Sequence, residues 1–490
     1  MNIQRGTLTR ESLSLYVYPE PMDTATRLTL LTHLMKHIPG SGIIYCTTTR
    51  DCKIVAEWLQ SQSFPVKPYF ADVENDTEES RAELENQLLR NEVKALVASV
   101  ALGMGFDKPD LHFVIHFQQP GNIISYYQQI GRAGRGIDRA YIILMHGPGD
   151  EDIQNYFIET AFPKPEQVKE VITALREVKS AKRQQLQQLV NVRYSVLEKI
   201  LTHLEVEHIV EKVDSTFHLI NPDATPDFAR WEAVTHNRYA EMEQMRQYIQ
   251  HQGCLMRFIA EALDDPEPVE KCGRCKNCAQ NESKFVPNPQ DVEAARRFLR
   301  QGKSILFEPR KRWPSGMPNV EKSIIRLTNE TGLALCGFYD TGWGEVVRRG
   351  RLENHFSDEL VELAAEALLD HWKSLTETPQ WVTAVPSLRR PQLVPDFAQR
   401  LANRLKLPYQ VALRHVQQHP EQKTMQNSFQ QAINVRDKFA VEEPLPTQPV
   451  LLVDDITDSK WTLTVVGHLL QEHGCSLVYP FVLAATNTSE

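Results

Sequence analysis

The chain has 490 residues, more than one hydrophobic core can serve, so three or four folded domains are expected. Apolar residues make up 41% and charged residues 24%, a balance that excludes disordered and fibrous classes. A formal charge of -9 excludes a globally basic nucleic-acid binder, and no run approaches the roughly 18 apolar residues of a membrane span, so a cytoplasmic chain with no membrane partner is expected.

In chain order, Gly42 to Cys46 is a short apolar run, Thr49 to Gln60 has helical periodicity, and further apolar runs come at Lys94 to Ser99, Phe113 to Phe117 and Tyr141 to Met145. That rhythm predicts a parallel sheet with crossover helices. Val97 to Asp110 reads VASVALGMGFDKPD, where Gly103 and Gly105 let backbone approach a phosphate chain and Ser99 supplies a hydroxyl. Tyr126 to Arg135 reads YYQQIGRAGR, two glycine-spaced arginines just past a strand, and arginine is the side chain that grips a γ-phosphate bidentately.

After a break at Pro163 and Pro165, Gln184 to Val190 and Tyr194 to Leu204 read as short amphipathic helices. His208 to Val213 and Thr216 to Ile220 read as strands joined at Asp214 and Ser215. The outline fits a winged helix, with a helical connector plus β-hairpin as the alternative. Asn221 to Asp227 reads as a linker, and Trp231 to Gln252 as a long helix leading to Cys254, Cys272, Cys275 and Cys278. Four thiolates at this spacing suit tetrahedral, structural zinc, whereas Cys46, Cys52, Cys336 and Cys475 are scattered. His251 is expected on a helix surface and not as a ligand.

Residues 284 to 350 mix prolines, basic residues and short apolar runs such as Ala334 to Tyr339, without a legible fold. Two basic clusters, Lys303 with Arg310, Lys311 and Arg312, then Arg348 with Arg349 and Arg351, are either DNA contacts or solvated faces. A helix from about Ser357 to Leu375 precedes a second α/β pattern with strands at Trp381 to Val385, Val450 to Val453 and Ser476 to Leu483. Val450 to Thr462, VLLVDDITDSKWT, is a buried strand, two carboxylates and a hydroxyl-rich turn that opens a helix.

Together and in this order, GMGFDKPD and YYQQIGRAGR resemble the fifth and sixth motifs of superfamily 2 helicases, specifically of the RecQ family, over about Gly6 to Cys278. SGIIYC at Ser41 resembles the strand that opens that family's second RecA-like domain, and CGRCKNC resembles its zinc subdomain. The resemblance implies Arg135 as arginine finger, Arg132 and Gln128 as supports of the ATP-facing surface, and Asp107 coupling that surface to DNA beside Ser99, Gly103 and Gly105. Single-stranded or junction DNA is the implied partner, with Arg193 and Lys199 of the winged helix as further DNA candidates. A winged helix placed before the zinc site resembles a RecQ branch that ends in a phosphoribosyltransferase-like domain.

Two departures stand out: Tyr69, Phe70, Ala71, Asp72 occupy a turn usually Tyr-His-Ala-Gly, and Gly136 then Ile137 stand where an acidic residue is usual. No GxxxxGK[ST] loop or DEAH-type box occurs, and the one Gly-Lys-Ser, Gly302 to Ser304, has Arg297 at the first-glycine position. ATP with Mg2+ would then need a first RecA-like domain in cis or trans, and the resemblance implies a 3′ to 5′ helicase only in that company. Arg5 to Tyr18 resembles the joint between the two RecA-like domains, the reading of a truncated or split gene product.

VLLVDDITDSKWT resembles the ligand loop of type I phosphoribosyltransferases, and Trp381 to Tyr409 with Asn427 to Phe439 resemble their ComF-like branch. The resemblance implies that Asp454 and Asp455 hold ribose hydroxyls of phosphoribosyl pyrophosphate while the turn through Thr457, Ser459 and Thr462 cradles the 5′-phosphate. Asp458 and Lys460 break the usual Thr-Thr-Gly-x-Thr, which favours a non-catalytic ligand or partner module over phosphoribosyl transfer. The expected architecture is α/β and multidomain: a RecA-like parallel sheet (1–160), a winged-helix-like domain (161–222), a helical zinc-binding subdomain (223–284), a small basic module (285–350) and a doubly wound phosphoribosyltransferase-like domain (351–490). The expected function is the rear half of a RecQ-like helicase. The alternatives are a DNA-binding or regulatory module without an ATP cycle, and a phosphoribosyltransferase that keeps a helicase remnant as scaffold.

Overall fold

The computed structural model describes residues 7–70, 78–99, 106–279, 285–301, 304–317, 323–416 and 424–486. They form two compact units, one built from Met1–Phe162 with Asp227–Leu299, the other from Pro163–Pro226 with Arg300–Glu490. No helix among the described residues is long and apolar enough to cross a membrane.

The first unit opens with β1 (Leu13–Val17), α1 (Thr24–His37), β2 (Ser41–Tyr45), α2 (Thr49–Ser61), β3 (Val66–Tyr69), α3 (Glu78–Leu89), β4 (Ala95–Ala98), β5 (Leu111–His116), α4 (Ile123–Ile130), β6 (Ala140–Leu144) and α5 (Asp150–Glu159). The six strands are parallel in the order β1-β6-β5-β2-β4-β3. The inner strands are apolar on both faces because helices cover both sides, so they read as continuous runs and not as alternation. The two edge strands escaped the sequence reading: β3 reads VKPY, with a proline that only an edge tolerates, and β1 precedes the first apolar run considered. Thr48 and Asn122 start α2 and α4 by accepting the amides of Asp51 and Ser125.

Residues 163–226 belong to the second unit and comprise α6 (Pro165–Val178), β7 (Ser180–Lys182), α7 (Arg183–Leu189), α8 (Tyr194–Val206), β8 (Val210–Val213) and β9 (Thr216–Leu219). The strands pair antiparallel in the order β7-β9-β8, and Asp214, at φ 54°, turns the β8–β9 hairpin. Helix, strand, two helices and hairpin make the winged-helix layout; α6 and β7 complete what the sequence outlined only as α7 to β9.

The chain then returns to the first unit with α9 (Phe228–Gln250), α10 (Leu255–Ala262), α11 (Lys276–Ala279) and α12 (Pro289–Arg300). Met245, Tyr248 and Ile249 of α9 and Leu255, Met256 and Ile259 of α10 share one core with Tyr126 and Ile130 of α4, so the zinc-region helices are built onto the sheet. On the other face Val292 and Ala295 of α12 join the core of α1 and α2, with the Phe298 ring 5.2 Å from Trp58.

In the second unit, β10 (Ile305–Phe307), β11 (Gly332–Gly337), α13 (Trp343–Glu353), α14 (Asp358–Trp372), β12 (Trp381–Ala384), α15 (Leu393–Leu405), β13 (Leu413–His415), α16 (Ser428–Arg436), β14 (Phe439–Val441), β15 (Val450–Thr457), α17 (Trp461–Glu472) and β16 (Val478–Ala485) follow. Five strands make a sheet in the order β10-β11-β16-β15-β12, parallel except at β10, and β13 pairs with β14 apart from it. Alternate residues of β15 feed two cores, Leu451 and Val453 toward α13, α14 and α15, Val450 and Leu452 toward α17. That is a doubly wound sheet. The separate basic module expected at 285–350 is not a unit of its own. Its α12 completes the first core while β10 and β11 extend this sheet, because β11 is buried along its whole length and needs neighbours on both sides.

Candidate functional site

The segment Gly131 to Gly136 follows α4 and is fastened from several directions. Arg10 donates from Nη1 to the Gly131 carbonyl (3.2 Å) and from Nη2 to the Ala133 carbonyl (3.1 Å), and Ser12 Oγ donates to the Gly134 carbonyl (2.7 Å). The amides of Gly134 and Gly136 donate to Leu111 and Pro109. Gly134 sits at φ +67°, where a Cβ would lie 2.6 Å from Ser12 Oγ, so the turn requires glycine.

The turn projects Arg135 outward. Its Nε donates back to Gly131 O (3.2 Å) and its Nη1 to Asp107 Oδ1 (2.9 Å), an ion pair between side chains 42% and 60% exposed. Two residues drawn from separate motifs thus meet at an open surface. Arg132 is half-buried and reaches the Phe106 carbonyl, while Gln128 is exposed on α4. Its neighbour Gln129 points inward instead, 2.7 Å from His116 Nε2. Ser99 donates its amide to Tyr69 O; Gly103, Gly105, Ala71 and Asp72 lie outside the described residues. Arg10 and Ser12 were missed by the sequence reading, since nothing local marks them as partners of a turn some 120 positions away.

At the start of α10, Cys254 meets Cys272, Cys275 and Cys278, with all four Sγ atoms within 4.8 Å of one another. A tetrahedral Zn2+ with bonds near 2.3 Å sets its sulfurs about 3.8 Å apart, so the set fits structural zinc and leaves no ligand position open. The amides of Cys272, Cys275 and Cys278 donate to the sulfurs of Cys254, Cys272 and Cys275 at 3.3 to 3.4 Å. The Cys272 thiol is pushed down to about 4, first by the hydrogen bond from Cys275, which is itself pushed up by that same contact. Asn277 Nδ2 ties the loop to the carbonyls of His251 and Gly253, and the His251 ring packs on Phe258 outside the sulfur cluster.

In the second unit β15 delivers Asp454 and Asp455 to the turn before α17. Asp455 donates its amide to Asp454 Oδ1 (2.8 Å), and Arg351 Nε lies 2.8 Å from Asp455 Oδ2. Burial, followed by the Asp455 charge, holds the Asp454 carboxyl well above the usual carboxylate range. Lys460 takes the left-handed conformation (φ 66°) that the usual glycine would supply. Asp458 accepts from Thr486 Oγ1 (2.6 Å), the Ser459 carbonyl accepts from Arg310 Nε (3.1 Å), Thr457 is buried and Thr462 half-buried. Trp461 is buried, stacked on Trp313 with centroids 5.7 Å apart, and donates to Ser428 Oγ (2.7 Å).

Part of each basic cluster serves contacts within the unit. Arg310 holds the turn, Arg348 donates to the carbonyls of Phe338 and Asp340, Arg351 meets Asp455 and Lys311 pairs with Glu308; Arg312 and Arg349 are exposed, and Lys303 lies outside the described residues. On the winged helix, Arg193 is exposed at the N-cap of α8 and Lys199 is exposed along it.

Comparison with known proteins adds three family matches: the helicase conserved C-terminal domain over residues 26–136, the RecQ zinc-binding region over 216–279 and the phosphoribosyl transferase domain over 396–490. The chain is 30% identical to an ATP-dependent DNA helicase RecQ of Synechocystis sp. over 278 residues, 55% of each chain. It is 26% identical over 247 residues to a probable ATP-dependent DNA helicase RecS of Bacillus subtilis, 50% of this chain and 47% of that one. It is also 42% identical over 110 residues to ATP-dependent DNA helicase Q1 of Mus musculus, 22% of this chain and 16% of that one. The chain spans about half the length of the first two relatives.

Proposed function

Taking as premise that this chain carries the C-terminal helicase and zinc-binding regions of the RecQ type beside a phosphoribosyltransferase domain, we propose that its first unit is the ATP-sensing, DNA-tracking rear half of a RecQ-like 3′ to 5′ DNA helicase. A first RecA-like domain, in cis or in trans, would hold ATP and Mg2+, for which this sequence has no GxxxxGK[ST] loop.

The observation that carries the reading is the exposed Arg135–Asp107 pair at the end of a pinned turn. A triphosphate brought to this surface competes with Asp107 for the guanidinium, and transition-state charge strengthens the arginine's side of that exchange. Asp107, released or recaptured, is the link to DNA, to which Ser99, Gly103 and Gly105 are also assigned. Arg132 and Gln128 support the same surface, and Arg193 and Lys199 are assigned to DNA phosphates. Zinc on the four cysteines serves folding, not chemistry. The phosphoribosyltransferase-type domain is read as a ligand or partner module, because Lys460 stands at the left-handed position of the usual glycine and Trp461 next to it is buried and stacked on Trp313.

The chain alone should show no DNA-stimulated ATPase, and supplying a RecQ first RecA-like domain should restore it. In the restored enzyme Arg135→Ala should lower kcat by about 10³-fold or more with ATP binding retained. Ordinary turnover in that variant would remove the finger assignment. DNA binding without any restored ATPase would favour a regulatory DNA-binding module.

A further inference from the structure

Adjacent carboxylates at the end of a parallel strand, beside a site for a phosphorylated sugar, are a setting in which Mg2+ is usually held by one or two carboxylates together with the ligand's phosphates. Whether Asp454 and Asp455 suit such a cation depends on which of their oxygens are available. Asp455 has neither oxygen unengaged: Oδ2 is 2.8 Å from Arg351 Nε, and Oδ1 accepts the Ile456 amide at 2.8 Å. Asp454 gives Oδ1 to the Asp455 amide, and its carboxyl is held toward the protonated form by burial and by the neighbouring acid. A cation would have to displace a guanidinium from one acid and sit against a second carboxyl whose charged form burial already disfavours.

Arg351 is not a casual surface partner. It lies in the last turn of α13, whose Trp343, Val346, Val347 and Gly350 are buried, and it is itself 31% exposed against 17% for Asp455. The helix is held close to the chain that follows it, since a Cβ on Gly350 would come within 2.8 Å of the His355 carbonyl and of the Phe356 ring. The arginine is therefore presented by a packed element, and guanidinium does not lose its charge at any ordinary pH.

We infer that Arg351 is a built-in counter-ion standing where a divalent cation would stand at Asp454 and Asp455, so that this acid pair meets its ligand without metal. The inference deepens the ligand-module reading of this domain and rests on it. It identifies Arg351 as a specificity-determining residue that removes the magnesium requirement from the site.

Manganese alone is the direct probe, measured by electron paramagnetic resonance on the full zinc-loaded chain. Wild type should hold no Mn2+ at this pair at submillimolar concentration. Arg351→Gln should gain a site at least tenfold tighter, Arg351→Gln with Asp455→Asn should lose it again, and Arg351→Lys should stay silent. Submillimolar Mn2+ binding by wild type that Asp455→Asn abolishes would overturn the inference, and this arm holds even if Arg351→Gln does not fold. A folded Arg351→Gln that gains no Mn2+ would overturn it as well. Calorimetry with phosphoribosyl pyrophosphate on the same zinc-loaded chain, with Mg2+ or in Mg2+-free buffer without chelator, separates the two readings: binding that requires Mg2+ overturns the counter-ion role, and no binding in either buffer removes the ligand module while the manganese result still decides Arg351.

Discussion

At the scale of single residues, the GRAGR turn shows how a short motif acquires its geometry from elsewhere in the chain. Arg10 and Ser12 together spend three hydrogen bonds on the carbonyls of Gly131, Ala133 and Gly134, so the direction of Arg135 is set by the segment entering β1. Gly134→Ala places a methyl 2.6 Å from Ser12 Oγ at a left-handed φ. The expected cost is about 1–3 kcal/mol to the first unit, read as a drop in its urea midpoint. Ser12→Ala in the same background should return part of that loss. A midpoint unmoved by Gly134→Ala would mean that the turn relaxes freely and does not aim Arg135.

At the scale of elements, the junction of β5 with α4 buries a histidine in a pH-sensitive place. His116 lies between the rings of Tyr45 (5.3 Å) and Tyr126 (4.9 Å), with Gln129 on Nε2. Burial pushes its pKa down to about 4, and the Gln129 contact only partly opposes this. The unfolded chain takes up the proton near pH 6.5, whereas the folded one resists it until about pH 4. Stability from this group is therefore complete above pH 6.5 and lost as pH falls, by roughly 3 kcal/mol at pH 4. Urea midpoints of the first unit between pH 7 and pH 4 should fall less steeply in His116→Gln than in wild type. Parallel slopes would show that the ring is protonated while still folded.

At the scale of the whole molecule, the winged-helix layout and the phosphoribosyltransferase-type domain form one unit, although 73 residues of the first unit (Asp227–Leu299) separate them in the chain. One side chain does much of the joining. Asn427 is 4% exposed; it caps α16 by accepting the Gln430 amide, and its Nδ2 lies within 3.4 Å of the carbonyls of Gln187, Val190 and Val192. Asn191 answers from the other side, accepting from the Gln426 amide and donating to Thr424 O. Asn427→Ala removes a cap and strands buried carbonyls, at about 2–4 kcal/mol. Hydrogen exchange at residues 186–192 should accelerate selectively; protection left at the wild-type level would mean that apolar packing alone holds the two together.

The candidate site residues were legible in the amino-acid order because they sit in short local patterns: two arginines spaced by glycines, three cysteines each separated by two residues, two acids after an apolar run. The inner strands were legible for a similar reason, since a strand buried on both faces must be apolar throughout. What only the tertiary structure decided was who holds those groups. The edge strands β1 and β3, the recruitment of β10 and β11 into the second sheet, the Arg10 and Ser12 clamp, the Arg351–Asp455 pair and the Asn427 junction all join residues far apart in sequence. A hydrogen bond or ion pair leaves no periodicity along the chain, and its partner is chosen by the fold, so the sequence could name candidate groups but not the neighbours that aim, neutralise or dock them.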